Sequence, residues 1–418
     1  MEDFFTPPQA DALRTYLKTH QDQMLAVLEA LVRAESPTDV PEAQADVQDA
    51  LVRFLNTLDY TVEHVPGRPE SGGHLYARPQ TRSRNRPVQL LVGHCDTVWP
   101  LGTLDDMPFE VDGNQVRGPG VFDMKAGLVQ MLFALAALRS CGAWNERGPN
   151  LAVTPIIFIN SDEEKGSPTS RRPLQRLARC ADRAFVLEPA LGLDGKLKTS
   201  RKGGGRFVIH IQGESAHAGL DPESGSSAIL ELSHVVQHLH TLNDPDAGIS
   251  VNVGTIDGGT QPNVVADAGR AEVDVRVTTR DQVDTIESAI RSLEATTTGT
   301  SLCIEGGFGR LPMEPTPASR QLWAWACDAA DVLGIDLDEG RSGGVSDANT
   351  ISQYTPTLDG LGAVGDGAHA RHEFCYRDRM IERSALLALL LAQPPLSESS
   401  LAKQNQTDDS HREPLRTE

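Results

Sequence analysis

This sequence predicts an α/β fold, a mixed sheet flanked by helices, with a smaller α+β domain inserted into it, and three observations carry the prediction. Up to Leu187, short apolar runs of strand character alternate with segments of helical period, the signature of an α/β sheet with parallel pairs. Between residues 206 and 306 the order changes to strand–helix–strand–strand–helix–strand, bracketed by Gly203-Gly204-Gly205 and Gly306-Gly307, which suit a hinge. Helical periodicity then resumes, so the inserted unit splits the larger domain in two.

Taken in order, Leu13, Leu17, Met24, Leu28 and Leu31 predict a helix over 9–34 that stops at Ser36-Pro37. A second helix is expected over 42–58, then strands at 61–65, 74–77 and 88–92. A helix over 128–138, a strand at 153–159, a short helix and a strand at 184–187 follow. In the insertion, strands are expected at 206–212, 250–256, 271–277 and 300–305, with helices at 226–240 and 282–295. That order is the ferredoxin-like split unit. Helices at 317–333 and 382–392 and a strand near Thr357 complete the larger domain. The expected boundaries are therefore 1–198, 199–310 and 311–393, with 394–418 a polar, aperiodic, disordered tail.

At 418 residues the chain exceeds one compact core. Its formal charge, 38 − 58 = −20, argues against nucleic acid or an anionic membrane as partner. The start, MEDFFTPPQA, shows no secretory signal, and the most apolar runs, 131–138 and 386–391, are short for a membrane span. Six cysteines without paired spacing read as reduced thiols in the cytoplasm, Cys95 among them as strand-end packing.

The chemistry lies in five motifs. They place His94 and Asp96 in GHCDTV, Asp123 in GPGVFDMKAG, Glu163 and Glu164 in NSDEEKGS, Glu188 in LEPA and His369 in GDGAHARHE, each expected at or just after a strand-like run. Strand C-termini of an open α/β sheet deliver side chains to one crevice. Two imidazoles and several carboxylates suit zinc, with cobalt or manganese as substitutes. Five candidate ligands exceed what one catalytic zinc needs, and a bridging carboxylate between two metals uses them all.

Each residue also has a plainer reading. His94 is a capped core histidine or a ligand whose far ring nitrogen is held by Asp96, two residues on. Asp123, before a helix, is an N-cap or a carboxylate offering one oxygen to each of two metals. Glu163-Glu164 is an exposed acidic turn, or a pair in which one ligates while the other faces water. Glu188 ends a buried strand and needs a partner. His369 has a local rival in His372, and Glu373 or His372 is placed to orient it.

Together these motifs resemble the M20 family of dinuclear zinc peptidases and deacylases, most closely its glutamate-carboxypeptidase (carboxypeptidase G) branch, over residues 10–393. The resemblance implies a zinc-dependent exopeptidase-like fold whose insertion serves as lid and dimerisation domain. It implies that Asp123 bridges two zinc ions, that His94 and Glu188 complete one site, and that Glu164 and His369 complete the other. Glu163 would then be the general base, with Asp96 orienting His94. In the insertion, His217 resembles a residue that reaches across a homodimer to stabilise an oxyanion, and Asn263 and Arg276 resemble substrate contacts. Ordinary alternatives are an exposed loop histidine and an outward strand arginine beside Asp274. Gly343 and Gly344, before Ser346-Asp347, offer amides to a substrate carboxylate or simply begin a capped helix.

The expected activity is hydrolysis of an amide next to a free carboxylate in a small molecule or short peptide. Glu188 resembles the carboxypeptidase and deacylase branches, whereas Met124 resembles the acetylornithine and succinyl-diaminopimelate deacylases, so an N-acyl-amino-acid deacylase is the alternative. Outside hydrolysis stand an inactive metal-binding scaffold and a dinucleotide enzyme using Gly203–Gly205. The second is weak, because those glycines precede a strand.

Overall fold

The computed structural model describes residues 7–69, 71–83, 85–145 and 148–396, so the expected tail lies outside the described residues from 397 onward. The chain separates into two compact units, the smaller being Ser200–Glu314 with Ser342–Val345.

The larger unit is built on a six-stranded mixed sheet in the order Tyr60–Val65, His74–Pro79, Thr154–Asn160, Val88–His94, Ala181–Val186, Thr357–Leu358. The first three pair antiparallel and the last four parallel. Every residue of Thr154–Asn160 is buried, as expected of a central strand covered on both faces, which reads as a continuous apolar run. Against the sheet lies Ala126–Leu138, a helix buried all round, packed on Arg377–Leu391. The stretch Val121–Ala143 is long and apolar enough to cross a membrane, but it is buried inside the fold and acts as the core helix.

Two expected helices differ in detail. The helix over 9–34 is two, Pro7–Thr19 and Gln21–Arg33, broken at His20, whose ring stacks on Tyr16 and lies 2.7 Å from its carbonyl. The apolar stripe runs on across the break, Leu13, Leu17, Leu28 and Leu31 all being buried, so periodicity could not show it. The 42–58 helix opens with a 3₁₀ turn at Pro41–Gln44 before Ala45–Thr57.

A further antiparallel sheet was not expected. Gly365–Asp366, Phe374–Tyr376, Gln115–Arg117 and Glu110–Asp112 pair in that order. Strands of two or three residues leave no periodic trace, yet this sheet carries the His369 loop and leads into the Asp123 turn.

The smaller unit is a four-stranded antiparallel sheet in the order Ser250–Gly258, Ala268–Val277, Gly203–Gln212, Ser301–Arg310. Its first and last strands in sequence are neighbours, the ferredoxin-like arrangement. Gly203–Gln212 alternates buried and less buried residues, and its buried face meets Leu232 and Leu239 of Ala228–Thr241 and Ile286 and Ile290 of Arg280–Arg291. Both helices start at side-chain caps, Ser227 and Thr279.

Candidate metal centre

Three adjacent parallel strands deliver most of the site from their C-terminal ends. His94 is the last residue of Val88–His94 and pairs with Asn160, after which the neighbouring strand runs on to Glu163 and Glu164. On the other side Glu188 follows Ala181–Val186. Its backbone is fixed by crowding as well as bonding. The Gly362 amide donates to the Glu188 carbonyl at 2.9 Å. A Cβ on Gly127 or on Gly362 would stand 2.2 Å from the Leu187 carbonyl oxygen.

Asp96 is fully buried and does more than orient a ring. His94 Nδ1 lies 3.0 Å from the Asp96 carbonyl oxygen and 3.4 Å from Oδ1, so the backbone oxygen is the closer partner. The carboxylate also accepts the Glu163 amide at 3.3 Å, the Glu164 amide at 3.2 Å and the Thr38 hydroxyl at 2.8 Å. One aspartate thus fixes both His94 and the acidic turn. Asp162 closes that turn behind, accepting the hydroxyls and amides of Thr169 and Ser170.

Asp123 and His369 do not follow core-sheet strands, contrary to the expectation for all five motifs; both sit on loops of the smaller antiparallel sheet. Asp123 lies in extended backbone just before the core helix, its peptide to Met124 cis. Two residues later the buried Lys125 donates to the Leu31 and Ala34 carbonyls, pinning the turn to the end of Gln21–Arg33. His369 has φ +62°, the left-handed conformation, in a tight loop closed by the Ala370 amide on the Gly367 carbonyl at 2.8 Å.

Glu373 and His372 were the alternative partners expected to orient His369; the buried Glu373 carboxylate turns to the Asp123 loop. It accepts the amides of Gly120 and Phe122 at 2.9 Å and of Asp123 at 3.1 Å, and the Trp99 indole N–H at 2.8 Å. His372 is exposed, whereas His369 Nε2 reaches the cluster. Thr38 and Trp99 were missed: Thr38 meets Asp96 only through the fold, and Trp99, though it directly follows GHCDTV, meets Glu373 far along the chain.

The side chains converge in two groups. His94 Nε2 lies 3.3 Å from Asp123 Oδ1 and 3.7 Å from Glu188 Oε1. His369 Nε2 lies 3.6 Å from Asp123 Oδ2 and 3.1 Å from Glu164 Oε2. The two oxygens of Asp123 therefore face different histidines, His94 beside Glu188 and His369 beside Glu164, while His94, Asp123 and Glu164 also offer ligand atoms within 4.8 Å of one another. Glu163 joins His94 and Glu188, their candidate ligand atoms lying within 4.8 Å of one another.

The electrostatics fit a cation. Burial opposes a charged His94 ring, but hydrogen bonds to Asp123 and Asp96 outweigh it and hold the ring well above its usual pKa. The hydrogen bond to Glu164 lifts His369 to about 9. Burial raises Glu164, while His94 overcomes burial to hold Asp123 low. Such a cluster retains protons against its own negative charge, and divalent ions displace them. Glu164 Oε1 is buried without a hydrogen-bond partner, an acceptor a cation would satisfy.

In the smaller unit, His217 is exposed, and its Nδ1 accepts the amides of Gly219 and Leu220, both at 3.1 Å. This fixes the proton of the neutral ring on Nε2, leaving that nitrogen as a donor. Asn263 is beside it, its carbonyl accepting the Ala218 amide at 3.0 Å. Arg276 is elsewhere, at the Gly204 end of the sheet, its Nε and Nη2 held by Asp274 at 2.8 and 3.0 Å. Gly343 and Gly344 are exposed, and Ser346 caps Asp347–Ile351 with a capping box.

Comparison with known proteins agrees with this architecture. Residues 199–297 match the M20 family's peptidase dimerisation domain. Carboxypeptidase G2 of Pseudomonas sp. (strain RS-16) is 28% identical over 361 residues, 84% of each chain. Among solved structures, aminopeptidase PepT from Bacillus cereus superposes with a TM-score of 0.76 at 21% identity, covering 89% of this chain and 98% of that one. The YXEP protein of Bacillus subtilis, a dinuclear metal binding peptidase from the M20 family, gives a TM-score of 0.63 at 16% identity, covering 90% and 98%. With residues 199–297 matching the dimerisation domain and the fold shared along nearly its whole length, this chain is similar to the hydrolases of the M20 metallopeptidase family.

Proposed function

We propose that this metallopeptidase is a dizinc amidohydrolase, cytoplasmic and homodimeric, that cleaves an amide or peptide bond next to a free carboxylate, as a glutamate-type carboxypeptidase does. The observation that carries the dinuclear reading is Asp123, whose two oxygens each face a separate histidine–glutamate pair. His94, Glu188 and Asp123 would hold one ion, and His369, Glu164 and Asp123 the other. Bound there, zinc polarises the scissile carbonyl and makes water acidic enough to be deprotonated near neutral pH.

The chain's own groups then have distinct work. Glu163, beside His94 and Glu188, takes the proton from the attacking water and returns it to the leaving amine. Asp96 holds Glu163 by its amide, and so keeps base and ligands in register. His217, with its proton on Nε2, donates to the oxyanion. Arg276 receives the substrate carboxylate on the guanidinium edge that Asp274 leaves open, with Asn263, Gly343 and Gly344 as further substrate contacts.

The lid supports the dimer. Arg276 pairs with Gly204, and Gln212 ends the same strand eight residues on, with His217 beyond it. At about 3.4 Å per residue the two groups are on the order of 27 Å apart along the sheet, too far for one small substrate. Two chains, one giving Arg276 and the other His217, resolve this. Free cysteines at all six positions suit a reducing compartment.

A substrate panel on the zinc-loaded chain tests the reading. Acyl-glutamates should give the highest kcat/KM, with about two metal ions per chain by elemental analysis. Preference for N-acetyl-ornithine or N-succinyl-diaminopimelate would make the protein a deacylase instead. Two tightly bound ions with no amide cleaved would leave a metal-binding scaffold.

A further inference from the structure

We infer that Glu373 is the positioning residue of the metal centre, holding the two loop-borne ligands, Asp123 and His369, as one unit and thereby setting the affinity for metal. The inference rests on the dinuclear reading above. Asp123 and His369 are the two ligands that the core sheet does not supply, and they lie far apart in sequence. Left to themselves, two separate loops would have to be ordered against each other whenever metal binds, and that ordering would weaken binding.

Glu373 removes this cost from both sides. On its own loop it ends a double turn: the Ala370 amide bonds to Gly367, and the Glu373 amide bonds to the Ala370 carbonyl at 2.9 Å. Gly367, at φ +85°, is pressed so close that an added Cβ would stand 2.8 Å from the Glu373 backbone nitrogen and Cα. The arm from His369 to Glu373 is therefore short and tightly folded. At its end the carboxylate, 1% exposed, divides its oxygens across the other loop. Oε1 takes the amides of Phe122 and Asp123, and Oε2 takes the amide of Gly120 and the Trp99 indole. Four donors converge on one carboxylate, and one of them is the backbone of the bridging ligand itself. Partners behind metal ligands of this kind change metal affinity by about 10–100-fold when removed.

The test is zinc affinity of the metal-stripped full chain, measured by competition with a chromophoric chelator, alongside thermal unfolding without metal. Glu373→Gln keeps the shape but turns an NH₂ group toward donors, and should weaken zinc binding by about 10–100-fold in a folded chain. Glu373→Asp, which keeps the charge but shortens the reach, should fall between it and the native chain. Glu231→Gln is the control. That buried carboxylate also pins a loop, accepting the Thr296 and Thr297 amides, but lies in the smaller unit, so it should lower melting and leave zinc affinity unchanged. Native zinc affinity in folded Glu373→Gln, or in Glu373→Asp if the first variant does not fold, would reduce Glu373 to a structural residue and overturn the inference. A native chain that binds no zinc would instead overturn the dinuclear reading beneath it.

Discussion

Glu163 and Glu164 are adjacent, share a 3₁₀ turn and both give their amides to Asp96, yet their carboxylates part company. Glu164 points to His369 with its second oxygen buried and unpartnered, whereas Glu163 faces His94 and Glu188. Glu163→Gln should therefore lower kcat by about 10²–10⁴-fold with zinc still bound, because the amide cannot take a proton. Glu164→Gln should instead lose zinc on mild dialysis. Kinetics and elemental analysis of the two variants read this directly, and the reverse pattern would mean the roles are exchanged. At this scale the sequence was legible where a motif kept interacting groups together, as in GHCDTV, whose His94 ring does meet Asp96. It was misleading at Glu373, where nearness in sequence suggested a bond to His369. The carboxylate is used some 250 residues away, and no spacing rule reports that.

Among elements, the long ones announced themselves through period and caps, down to the bounds of Pro317–Leu333. The small sheet under the Asp123 and His369 loops did not, since its strands are too short to alternate. In the smaller unit, the helix Ala228–Thr241 owes part of its anchoring to Glu231, fully buried, with His234 Nδ1 4.0 Å away. Burial alone would raise its pKa, but the hydrogen bonds from Thr297 and Thr296 prevail and hold it below its ordinary 4.5. A depressed carboxylate stabilises the fold above its unfolded value and loses that contribution as pH falls through the folded one. Glu231→Gln should thus destabilise the smaller unit by about 1–3 kcal/mol near neutral pH. The deficit should shrink below pH 4.5, which thermal unfolding of both chains across the acid range would show. A deficit independent of pH would mean that the charge contributes nothing.

For the whole molecule, the separation of His217 and Arg276 along one sheet of the smaller unit underlies the proposed dimer, in which the working unit would be two chains. Co-expressing His217→Ala with Glu163→Gln tests it, because neither homodimer has a complete site. If His217 acts on the partner's substrate, the mixed dimer holds one complete site, and part of the native kcat returns. If it acts within its own chain, every site lacks one group and activity stays at the level of the single variants. The formal charge of −20 adds that an anionic substrate would approach against the net field, so attraction would have to come from local groups, the proposed Arg276 contact and metal centre among them.

Gly127 and Gly362, drawn from a core helix and a late loop, press on the same Leu187 carbonyl beside Glu188. Neither contacts a reacting atom, and neither has room for a single methyl group. Wherever this chain diverges or is engineered, then, these two positions are as closed to change as the ligands, though no chemical role would mark them. The smaller unit is freer to vary, its loops around His217, Asn263 and Leu220 being exposed.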